Sequence, residues 1–165
     1  MSLVTLLKSL VLVIVLVVVQ TSILPQFFTT AFKPDLLLVL VVIMALRGGD
    51  GGGIIGSFLL GLVKDCISSI YFGLNGFSFL VVFFLLRMMS GRLFVQSGTL
   101  ISLCACGSLL VAMVSNLVLL SIFSESPGLF FSMMRGLIPA LLMQALASAA
   151  MVPLVQSLFP ELESR

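Results

Sequence analysis

Histidine and tryptophan are missing from this chain, and tyrosine occurs once. Charge is scarce, with eight Lys and Arg and six Asp and Glu in 165 residues. Without histidine, the commonest metal ligand and general base is gone. The three cysteines, Cys66, Cys104 and Cys106, lie in apolar runs at no zinc or disulfide spacing. They read as small buried hydrophobes. No metal site, catalytic set or cofactor is expected. A net charge of +2, with no basic cluster interleaved with aromatics, argues against nucleic acid as a partner. With tryptophan absent, an interfacial aromatic belt has to rest on Tyr71 and the fourteen phenylalanines.

What fills the chain instead is apolar. Hydrophobic residues make up 61% and charged residues 8%, with a mean hydropathy of +1.35. A soluble domain carries about a quarter charged residues. A soluble core cannot absorb this much apolar surface, so the lipid bilayer is the expected surroundings. The expected fold is an all-α integral membrane protein, one domain of six transmembrane helices.

The expected spans are residues 3–23, 34–46, 53–71, 77–89, 99–123 and 129–158. No small-x-small cleavage site follows the first, so it reads as a retained helix rather than a signal peptide. Residues 25–33 (PQFFTTAFK) read as a semi-apolar connection. Pro34 and Asp35 suit the first turn of the second span. From Asp35 to Leu46 is about 18 Å of helix, short of a ~30 Å hydrocarbon core. Either residues 31–33 extend the helix, or Asp35 starts it below the membrane surface. The run RGGDGGG reads as a flexible turn, since no Lys-Ser/Thr follows it to make a phosphate loop. FGLNG reads as another turn, SESPG breaks the chain again, and PELESR is a short polar tail. Six spans put both termini on one side. Lys8, Arg47, Arg87, Arg92 and Arg165 then face inward against Lys33 and Arg135 outside, which favours cytoplasmic termini.

The third span carries the most information. An Asp or Lys at a helix centre costs roughly 2.5–3.5 kcal/mol on insertion, yet Lys64 and Asp65 sit within its apolar run. Such residues face a bundle interior or a wet cavity. Ser57, Gly61 and Asp65 fall at i, i+4 and i+8, on one small and acidic face suited to a close helix contact. Ala145 and Ala149 give the last span a small face of its own.

Counting residues from each span's end places the polar groups in depth. Asp65, Asp35 and Gln20 each lie twelve residues, about 18 Å, from the inner side. Arg135 enters about five residues from the outer side, and Asn116 about seven. Asp35, Asp65, Arg135, Lys64, Gln20 and Asn116 are therefore expected to converge as a polar cluster in the outer half of the membrane. One reading is an outward-facing pocket, and the other is a self-satisfied network that holds the bundle together. Asp65 and Arg135 are expected to pair, while Lys64, about 100° round the helix, has the reach to snorkel outward.

The order KPDLLL, RGG, GSFLLGLVKD, FGLNGFSFL resembles the rod shape-determining protein MreD family. The residues that carry it are Pro34, Asp35, Gly56, Gly61, Asp65, Gly73, Leu74 and Asn75. The resemblance implies a fold similar to the S-components of energy-coupling-factor transporters. It also implies a subunit of the bacterial wall-elongation complex in the inner membrane, with MreC, MreB and a peptidoglycan synthase and transpeptidase as partners. Gln20 and Asn116 match no family pattern and rest on depth alone. A non-enzymatic adaptor that docks MreC is the expected function. The alternative is an S-component binding a vitamin or other small solute. Such components dock their motor through small residues on the first helix, and residues 3–19 hold no Gly or Ala.

Overall fold

A computed structural model describes residues 3–27, 34–47, 50–68, 72–90, 98–123 and 128–158. The fold is all-helical. Helix α1 (Leu3–Val18) runs into a π-helical turn (Val19–Ile23) and a last short helix, α2 (Leu24–Phe27). Then come α3 (Leu36–Arg47), α4 (Asp50–Ser68), α5 (Leu74–Ser90), α6 (Gly98–Phe123) and α7 (Gly128–Leu158).

Helix α3 is the axis of the bundle. Its sequence, LLLVLVVIMALR, is apolar on every side, and a helix of that kind is stable only when enclosed. It touches α1, α4, α5, α6 and α7. Residues 36–43 and Ala45 are buried, with Leu38, Val39, Val41, Val42 and Ala45 wholly so. Against it pack Phe79, Val82 and Phe83 of α5, Ile101 and Ala105 of α6, and Met151, Val152 and Val155 of α7.

The outside of the bundle is apolar as well. Leu7, Leu10 and Ile14 of α1, Leu103 and Val114 of α6, and Ile138, Leu142 and Leu146 of α7 are all exposed. A surface like this is unsuited to water and suited to lipid. Leu100–Leu119 and Leu137–Val155 are long and apolar enough to cross a membrane, and Leu7–Ile23, Leu36–Leu46 and Leu74–Ser90 are shorter apolar helices.

Several boundaries depart from the sequence reading. Helix α4, the expected third span, starts at Asp50, so the glycine run belongs partly to a helix rather than wholly to a turn. Packing explains Gly53, where a Cβ would lie 2.7 Å from the Phe83 ring, but not Gly52, where a Cβ would meet nothing within 4 Å. Beyond the run, a Cβ on Gly56 would lie 2.6 Å from the Met44 methyl. The next helix starts at Leu74, so Asn75 and Gly76 form its first turn instead of the preceding reversal. The expected connection after Leu24 continues as helix to Phe27. Proline at 25 has no N–H for the usual ladder, and the helix widens into a π turn just ahead of it, with the Leu24 N–H bonded to the Val19 carbonyl. Helix α3, the expected second span, begins at Leu36, with Pro34 and Asp35 buried but outside the helix.

Candidate functional site: two polar hubs on either side of α4

Lys64 and Asp65 are neighbours on α4, but their charged groups go to the starts of different helices. Asp35 is the N-cap of α3, and its Oδ1 accepts the Leu38 N–H at 3.2 Å. The other oxygen, Oδ2, is ion-paired with the Lys64 ammonium. Lys64 therefore turns inward to α3 rather than snorkelling. Its Nζ also stands 5.1 Å from the centroid of the wholly buried Phe79 ring, a cation–π contact that ties it to α5.

Two carboxamides complete this first hub. Gln20, delivered by the π turn, donates to Asp35 Oδ1 at 3.4 Å. Gln144 of α7, wholly buried, accepts the Asp35 N–H at 2.8 Å and donates to the Asp35 carbonyl at 3.2 Å. Its side chain thus matches both polar groups of one peptide residue. Such pairing is what allows a helix to start inside an apolar bundle, where an unmade backbone hydrogen bond is costly. The Gln20 Oε1 atom is buried without a hydrogen-bond partner among the described residues.

The second hub is built on Asp65, which is 3% exposed. Its Oδ2 accepts the N–H groups of Gly73 at 2.9 Å and Gly76 at 3.1 Å. Its Oδ1 accepts the Asn75 N–H at 3.0 Å and the Asn75 side-chain amide at 2.8 Å. These are the N–H groups that the first turn of α5 leaves without intrahelical partners, and the positive end of the helix dipole lies there too. Asp65 caps α5 from another helix. Gly73 holds φ at +94°, which turns the chain so that its own N–H can join the cradle.

From Asn75 the network reaches α6. Asn116 donates to Asn75 Oδ1 at 3.4 Å, and Ser78 donates to Asn116 Oδ1. The close approach of α4 and α5 depends on Gly61. A Cβ there would sit 2.5 Å from Gly76 Cα and 2.6 Å from the Asn75 carbonyl oxygen. Ser57 is wholly buried on the same helix, and its hydroxyl donates to the Ile54 carbonyl at 2.8 Å.

Among the described side chains, then, the six-residue cluster is two hubs: Gln20, Asp35 and Lys64 in one, Asp65 and Asn116 in the other. The side chain of Arg135 lies outside the described residues, and so does its expected pairing with Asp65. The small face expected at Ala145 and Ala149 is not the buried one, since Ala149 is exposed and Ala145 half-buried. Helix α7 instead buries Gln144, Ser148, Met151, Val152 and Val155. The polar side chains gain hydrogen bonds by facing inward, whereas alanine loses little by facing lipid. Cys66 is exposed and the other two cysteines are half-buried, so they are not the fully buried residues expected. Asn75, Ser78 and Gln144 were not foreseen as members of the cluster. Their signal lay in spacing: Asn75 and Ser78 fall at i and i+3, and Gln144 and Ser148 at i and i+4, one polar stripe on each helix.

The family model described as rod shape-determining protein MreD matches residues 1–162. The chain belongs to the MreD family. Membership makes it a bacterial membrane protein with a role in rod shape determination. No curated protein and no solved structure matches the chain. Several MreD-type positions picked out in the sequence lie at the hubs: Asp35 in one, and Asp65, Gly73, Asn75 and the Gly61 contact in the other.

Proposed function

We propose that this MreD-family chain is a non-enzymatic adaptor of the wall-elongation complex in the bacterial inner membrane. It binds the single membrane helix of MreC and works beside MreB and the peptidoglycan synthase and transpeptidase. The observation that carries this reading is the family match over residues 1–162. The two hubs support it. The carboxylates of Asp35 and Asp65 are engaged in starting helices α3 and α5. That is the chemistry of a rigid platform.

The proposal includes six spans, both termini in the cytoplasm, and α3 beginning just after Asp35, below the membrane surface. The twelve residues of α3 cover about 18 Å against a ~30 Å hydrocarbon core. Arg135, by its depth in the sequence, adds its charge to the same outer layer. A fold like that of transporter S-components belongs to the proposal too, and it rests on the family resemblance.

Affinity capture of the tagged chain from native membranes in mild detergent tests the function. A single-span wall-complex protein is the expected companion, and depletion is expected to round a rod-shaped host. Capture of a transporter motor, with normal shape and lost uptake of one vitamin, would replace the adaptor by a solute-binding S-component.

A further inference from the structure

The arrangement of Lys64 and Asp65 raises a question of competition. The ammonium and the second carboxylate belong to consecutive residues, about 100° apart on one helix. Yet the ammonium is held by Asp35 of α3, and the Asp65 carboxylate by the N–H groups of α5. A lysine side chain is long and flexible, and an ammonium in apolar surroundings is driven to a carboxylate. The Asp65 carboxylate is the anion its own backbone keeps close.

We infer that Asp35 keeps the Lys64 ammonium away from Asp65, and that the starts of α3 and α5 are coupled through this choice. While Asp35 is charged and in place, Lys64 lies between it and the Phe79 ring. When Asp35 is replaced by a neutral residue or is moved, Lys64 turns to Asp65 and draws the carboxylate off Gly73, Asn75 and Gly76. The first turn of α5 then loses its cap. Because Asn75 also bonds Asn116, the loosening passes on to α6. Gln20 and Gln144 bind Asp35 from the π turn and from α7, so movement of either segment feeds the same switch. The two-state element is the Lys64 side chain, placed between the Asp35 and Asp65 carboxylates among the described residues, as a coupling mechanism requires.

Hydrogen exchange on the full chain in lipid nanodiscs reads this directly, through the amides of residues 72–77. Asp35→Asn keeps an N-cap acceptor for α3 but removes the charge that holds Lys64. Exchange at residues 72–77, on a different helix, is expected to rise by about tenfold. Adding Lys64→Met removes the freed cation, and exchange is expected to return to within about twofold of the starting protein. Unchanged exchange in Asp35→Asn overturns the inference. So does a double variant that exchanges as fast as Asp35→Asn alone, since that is general loosening. Should Asp35→Asn give no folded protein, yield becomes the readout: recovery in the double variant supports the inference, and no recovery overturns it.

Discussion

The Gln144 carboxamide lies against the peptide groups of Asp35, accepting its N–H at 2.8 Å and donating to its carbonyl at 3.2 Å across 109 positions of sequence. The carbonyl has a second donor in the Val39 N–H, 3.2 Å away, so the N–H depends on Gln144 more than the carbonyl does. Removal of Gln144 therefore strands a buried donor at the start of the central helix.

Gln144→Leu is expected to destabilise the chain by about 1–3 kcal/mol, the usual cost of a buried unsatisfied polar group. Gln144→Glu keeps the acceptor for the Asp35 N–H but sets a carboxylate beside the carbonyl, and it is expected to be at least as harmful. Unfolding titrations in mixed micelles measure both. A Gln144→Leu variant as stable as the parent would show that the contact contributes nothing net.

Two glycines that look alike in sequence are expected to behave oppositely. Gly61→Ala places a methyl 2.5 Å from Gly76 Cα, where backbone has to move, and is expected to cost about 1–3 kcal/mol. Gly107→Ala on α6 meets nothing within 4 Å and is expected to be neutral or to stabilise by up to about 1 kcal/mol. Thermal unfolding of the two variants in one detergent compares them directly. Equal effects would contradict the close contact of α4 with α5.

At Gly73 the constraint is conformation rather than space, since a Cβ would meet nothing within 4 Å. With φ at +94°, Gly73→Ala is expected to cost about 1–2 kcal/mol, and Gly73→Asn less, because asparagine tolerates positive φ. The same thermal assay orders the three proteins. Alanine and asparagine variants of equal stability would show that the backbone relaxes there.

For topology, a reporter fused after residue 165 is expected to be active only in its cytoplasmic form, following the bias of Lys and Arg. Activity confined to the periplasmic form would reverse the orientation of the bundle and move the two hubs to the inner half of the membrane.

Some of the site was readable from single residues. Asp35, Lys64, Asp65, Gln20 and Asn116 stand out because polar groups in apolar runs are expensive, and expense calls for partners. Which partners could not be read. The sequence reading sought a cation for Asp65 and expected Arg135. The observed donors to Asp65 include three backbone N–H groups at the start of α5. Every residue but proline carries such a group, so composition and depth give no sign of which ones a helix start leaves open. The same blindness explains the boundary of α5: LNG reads as a turn until the carboxylate that caps it is known.

The amino-acid sequence by itself determined that the chain is built of apolar helices, because so few charges and so many long apolar runs suit no other surroundings than lipid. It also determined the family, which the match over residues 1–162 reflects. Only the tertiary structure decided that α3 is the enclosed axis, that α7 buries Gln144 and Ser148 instead of Ala145 and Ala149, and that Lys64 and Asp65 bind the starts of different helices. Apolar pattern could not make these choices, because every face of such helices is compatible with lipid. They were made by hydrogen bonds and an ion pair between groups far apart in sequence, each of which is costly to leave unmet in a bilayer.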